Sequence, residues 1–106
     1  MKTIIANEKN LLKALKATAK AHNAEFENWL DEGQVGIKSE TIPAVADIKT
    51  IVSAFTTNGN NNVEVGWGYT TIFVDCLEYK EELSANDIMQ LEMSLPYGLK
   101  IKWLTK

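Results

Sequence analysis

The stretch AEFENWLDEGQVGIK, residues 24–38, reads in two ways, and the architecture turns on which is taken. Phe26, Trp29 and Leu30 stand at i, i+3 and i+4, the spacing of a short amphipathic helix that would end near Gly33. Val35 and Ile37 would then continue as a short strand. The same letters fit a hairpin that turns at residues 31–33, with extended chain on either side.

Outward from this stretch the signals are firmer. Residues 3–6 read as a short apolar strand. Asn7 then offers an N-cap, and Glu8 puts a negative charge in a first helical turn. Residues 8–22 follow as a helix with Leu11, Leu12, Leu15 and Ala19 on one face, and Asn23 stops it. In the other direction, Pro43 suits the first position of a second long helix, with Val45, Ile48, Val52 and Phe55 along one face and Asn58 with Gly59 at its end. Val63, Val65 and Trp67 alternate with Glu64 and Gly66, as in a half-buried strand. Residues 70–79 carry the richest strand pattern, nearly continuous through Ile72, Phe73, Val74 and Leu77, as a central strand would be. Ser84 followed by Asp87 resembles a capping box, with Ile88, Leu91 and Leu95 as the buried stripe behind it and Pro96 and Gly98 as the stop. Leu99, Ile101 and Trp103 alternate with Lys100 and Lys102, a strand with one wet face.

With residues 24–33 taken as helical, the order is strand, helical region, strand, strand, helix, strand. That predicts an α+β single domain over residues 1–106: a ferredoxin-like (split βαβ) antiparallel sheet with an enlarged helical first crossover. The first and third strands would be central and the second and last would be edges, where Lys100 and Lys102 would discourage pairing with another chain.

Composition narrows the function. The 106 residues include no arginine, one histidine (His22) and one cysteine (Cys76). Arg is the usual bidentate holder of phosphate, His and Cys build zinc sites, and His leads in proton transfer. A net charge of −3 argues against a bulk-basic nucleic-acid binder. No apolar stretch approaches the ~20 residues that span a bilayer, and the polar residues Asn7 to Asn10 interrupt the apolar opening that a signal peptide would need. A single Cys forms no internal disulfide. The expectation is a cytoplasmic protein with no cofactor, no metal and no membrane partner. Eleven lysines with no arginine, alongside many asparagines, hint at AT-rich coding of a bacterial or phage source.

Four features could carry chemistry. Cys76 and His22 are the available thiol and imidazole, but Cys most often acts as a small buried hydrophobe and His22 suits a helix C-terminus. Lys9, Lys13, Lys16 and Lys20 make a stripe that could meet phosphates or an acidic protein, though Lys is also the ordinary residue of a solvated helix face. An RNA-recognition domain shares the element order, yet it needs stacking aromatics on its first strand, and residues 2–6 have none. Residues 24–95, by contrast, hold thirteen acids against three lysines. Glu25, Glu27, Asp31 and Glu32 surround Trp29, and Gly66-Trp67-Gly68-Tyr69 permits a tight turn that pushes Trp67 or Tyr69 outward. Acidic residues around an aromatic anchor steer a basic protein partner and then hold it by burial. The expected binding residues are Glu25, Glu27, Trp29, Asp31, Glu32, Trp67 and Tyr69, and no catalytic residue is expected. The function read from this is a non-catalytic protein-binding module, most concretely a small acidic inhibitor, immunity or anti-defence protein of bacterial or phage type. The alternative is a small-ligand-binding regulatory domain that dimerises through its sheet.

Overall fold

A computed structural model describes residues 3–29, 33–40, 42–57, 61–75, 79–96 and 98–105. Their elements run α1 (Glu8–Ala21), β1 (Glu25–Trp29), β2 (Gln34–Ser39), α2 (Ile42–Phe55), β3 (Asn61–Gly66), β4 (Tyr69–Asp75) and α3 (Ala85–Ser94). Among the described residues this is an α+β chain of three helices and one antiparallel sheet, with strand order β1-β2-β4-β3.

The helices begin and bury where local chemistry says they should. Asn7 Oδ1 accepts from the Asn10 backbone N–H at 2.8 Å and caps α1. Leu11, Ala14, Leu15 and Ala19 are fully buried along α1, and Asn23 ends the run with φ 55°, the left-handed conformation that Asn tolerates. α2 buries Ala44, Ile48, Ile51, Val52 and Phe55. α3 opens on a complete capping box: Asp87 N–H donates to Ser84 Oγ at 3.1 Å, and Ser84 N–H donates to Asp87 Oδ2 at 3.3 Å.

The sheet departs from the expected order. Residues 24–38 form the hairpin, not the helix: β1 pairs with β2 from Glu25↔Lys38 to Trp29↔Gln34. The i, i+3 spacing of Phe26 and Trp29 would gather them on one helix face, whereas in the strand they point to opposite faces of the sheet. Each finds a non-local partner there. Phe26 joins the core cluster, and Trp29 stacks on Phe73 across the sheet. The hairpin also pairs the edge of β2 that a helix would have left open.

The ferredoxin-like split βαβ order expected from the sequence is therefore not the order of this sheet. β4 is central, as expected, and β3 is an edge, as expected. The second central strand is β2 rather than residues 3–6, and the other edge is β1 rather than residues 99–103. β2 and β3 both run antiparallel to β4, so they are parallel to each other, with α2 linking them. Among the described residues, the N-terminal segment contributes two isolated bridges, Ile4↔Thr105 and Ile5↔Glu82. Residues 99–103 keep their alternation of half-buried and exposed side chains without joining the sheet. Their apolar side packs on helices, with Trp103 6.0 Å from the Phe55 ring. Alternate burial requires only one covered side, so the pattern gave the right faces and the wrong neighbour.

The core lies between the helices and one face of the sheet. Val35 and Ile37 of β2 and Ile72 and Val74 of β4 are fully buried there, clustered with Leu11 and Leu15 of α1 and Ile48, Ile51, Val52 and Phe55 of α2. α1 packs on α2 and β1, α2 reaches β4, and α3 packs on α2. The opposite face of the sheet meets no described helix.

Candidate functional site on the open sheet face

Strand alternation and register decide what that open face displays. Glu25, Glu27 and Trp29 of β1 share it with Gln34, Gly36 and Lys38 of β2, Tyr69, Thr71, Phe73 and Asp75 of β4, and Asn62 and Glu64 of β3. One row across the sheet reads Glu25, Lys38, Thr71, Glu64. The next reads Glu27, Gly36, Phe73, Asn62.

Two aromatic contacts organise the surface. The Trp29 ring crosses Gly36 and stacks on Phe73, with centroids 5.6 Å apart and planes 22° from parallel. A Cβ at position 36 would lie 2.7 Å from Trp29 Cζ3, so the missing side chain is what lets the ring lie flat. Nearby, Lys38 Nζ sits 3.7 Å from the centroid of the Tyr69 ring, a close cation–π contact. At the far end of the face, Gln34 Nε2 donates to Asp75 Oδ1 at 3.4 Å.

The face is negative. Among the described residues of the face, Glu25, Glu27, Glu64 and Asp75 stand against the single ammonium of Lys38, whose charge is turned onto Tyr69. Two shallow grooves meet at this pair. One, of about 500 Å³, runs from Lys38 and Tyr69 past Glu25 and Glu40 to His22 and Asn23. The other, of about 190 Å³, is walled by Trp29, Tyr69 and Lys38, with Gly36 and Thr71 beneath and Glu27 beside it.

Of the expected binding residues, the fold brings Glu25, Glu27, Trp29 and Tyr69 onto this one face. Trp67 stands at the β3–β4 turn and is 96% exposed. Gly68 has φ 69° at the third position of that turn, as a type II turn requires. Of the two aromatics in Gly66-Trp67-Gly68-Tyr69, Trp67 is thus pushed outward and Tyr69 lies over Lys38. Asp31 and Glu32 lie outside the described residues. Lys38 and Phe73 complete the surface and were not singled out from sequence, since their roles arise only from register. Gly36 between Val35 and Ile37 was the available signal, a glycine inside an apolar strand where something approaches closely.

Of the other candidates, His22, Lys13 and Lys16 make contacts within the fold. His22 Nε2 lies 2.8 Å from Asp47 Oδ2, joining the end of α1 to α2. Cys76 lies outside the described residues, so its distance from His22 is not defined. In the lysine stripe, Lys13 Nζ donates to the Lys102 carbonyl at 2.9 Å, and Lys16 Nζ sits 5.6 Å from the Phe26 ring centroid. Lys80 Nζ donates to the Ser53 carbonyl at 2.8 Å and faces Asp87 at 3.9 Å. Among the described residues, no group of three or more His, Cys, Asp or Glu side chains is placed to hold a metal ion. Nor is any described helix long and apolar enough to cross a membrane.

No protein-family model matches the chain, and no curated protein or solved structure is significantly similar to it.

Proposed function

We propose that this protein is a non-catalytic binding module that docks a basic protein surface on its open sheet face. One observation carries the reading: the face left uncovered by the described helices gathers Trp29, Phe73 and Tyr69 among four carboxylates. A stacked aromatic pair is rigid, so a partner covering it gains apolar burial at little entropic cost. The carboxylates around it speed encounter with a cationic surface and disfavour an anionic one. A small acidic inhibitor, immunity or anti-defence protein of bacterial or phage type is the concrete form of this reading.

The test is an affinity pull-down with the tagged chain from a source-organism lysate at low and high salt, with mass spectrometry of what co-elutes. The proposal expects one stoichiometric protein whose recovery falls with salt, as screening of a charged interface requires. The double variant Glu25→Lys, Glu27→Lys should then lose that partner while staying folded. Retention of the partner by the folded double variant removes the open face as the docking surface.

A ligand-binding regulatory role has one observation in its favour, the groove of about 500 Å³ beside Tyr69. A metabolite panel in a thermal-shift assay separates the two readings, because a ligand selective for the native state raises the melting temperature.

A further inference from the structure

The two edges of the sheet are guarded differently. On β1, a second copy laid antiparallel about a two-fold axis at Phe26 or Glu27 sets glutamate against glutamate. β3 carries one acid, Glu64, against the two of β1. It contains no Lys and no Pro, and its register with β4 runs from Asn61↔Val74 to Gly66↔Tyr69 without a bulge. Its outer backbone groups have no strand partner among the described residues. Val63 and Val65 belong to the face that the helices cover elsewhere, yet they are 40% and 82% exposed, and Trp67 beside them is 96% exposed. The helical layer stops short of this edge.

We propose that β3 pairs antiparallel with β3 of a second copy about a two-fold axis at Val65, joining two sheets into one of eight strands. Pairing at this edge leaves the open face uncovered and does not depend on the docking reading. An axis normal to the sheet keeps every side chain on its own face, so the possible axes pass through single residues. An axis at Glu64 sets two carboxylates opposite each other. An axis at Val63 avoids that but leaves Trp67 beyond the ladder. An axis at Val65 sets Val65 against its own copy and Glu64 against Gly66, which has no side chain, and brings the turn residue Trp67, just past the strand end, toward Val63. The exposed apolar residues of the strand and its turn then cover one another, with no carboxylate facing another directly. This self-complementarity selects a second copy over a foreign strand, since a two-fold interface must match itself. One six-residue strand edge is small beside the ~800 Å² per partner of a standard interface, so the dimer is a weak one.

Sedimentation equilibrium of the reduced full chain, from about 10 μM to about 1 mM, reads the association directly. The proposal expects monomer at the lower end and dimer at the upper. Val65→Lys sets two ammonium groups on the axis at an exposed site and should weaken the dimer at least about tenfold. Met93→Lys, at a 76% exposed position on α3, should leave it unchanged. Monomer throughout, or a dimer indifferent to Val65→Lys, overturns the proposal. In a Cys76→Ala background, Val65→Cys should cross-link to itself on oxidation, since paired Cα atoms ~5.5 Å apart suit a disulfide. Faster cross-linking by Glu64→Cys or Val63→Cys overturns the assigned axis.

Discussion

Asn10 and Leu104 exchange two hydrogen bonds across 94 residues of sequence: Leu104 N–H donates to Asn10 Oδ1 at 2.9 Å, and Asn10 Nδ2 donates to the Leu104 carbonyl at 3.1 Å. The same amide donates to the Ile5 carbonyl at 2.8 Å. One fully buried side chain therefore ties α1 to the segments at both ends of the described chain. Asn10→Asp keeps the shape and loses both donors, leaving a carboxylate facing two carbonyls. The expected cost is about 3 kcal/mol, read as a lower urea midpoint at unchanged slope.

The contact between Trp29 and Gly36 predicts a coupling. Gly36→Ala should displace the ring and destabilise the fold by about 1–2 kcal/mol. In a Trp29→Ala background the three atoms nearest the added methyl are gone, so the same change should cost little. A double-mutant cycle by chemical denaturation measures the difference, and a coupling near zero would show that the ring does not depend on that glycine.

Two tryptophans with different surroundings predict different outcomes. Trp67→Ala, at an exposed turn, should move stability by no more than about 0.5 kcal/mol. Trp103→Ala removes the packing on Phe55 and should cost about 2–3 kcal/mol. Thermal melts of the two variants rank them directly.

The capping box of α3 predicts a smaller and local effect. Ser84→Ala frees the Asp87 N–H and should cost about 1 kcal/mol. Hydrogen exchange should quicken first in α3, because its buried side chain is Leu91 and the rest of the helix is half-buried or exposed.

The helices and their caps were legible because their signals are local. Asn7, Ser84 and Asp87 act within three residues of themselves, and each helical stripe repeats within one element. The central place of β4 was legible from its continuous apolar run. The hairpin at residues 24–38 stayed open in the sequence because both readings bury Phe26, and what decides between them, Phe73 beneath Trp29 and the pairing of β2 with β4, lies elsewhere in the chain. The site was legible as composition, acids beside aromatics, but not as a surface. Glu25, Glu27 and Trp29 share a face only once β1 is extended, and Lys38 meets Tyr69 only through the β2–β4 register.

The placement of β4 between β2 and β3 has a consequence for biosynthesis. The β1–β2 hairpin can close soon after it emerges, yet β2 then presents Val35 and Ile37 on an unpaired edge until β4 arrives. The Gln34–Asp75 contact at the end of that pairing spans 41 residues. At about 5–20 residues per second, the interval is roughly 2–8 s. For that time the nascent chain carries a sticky strand edge whose native partner has not been made, and α2, made in between, is the first element able to shield it.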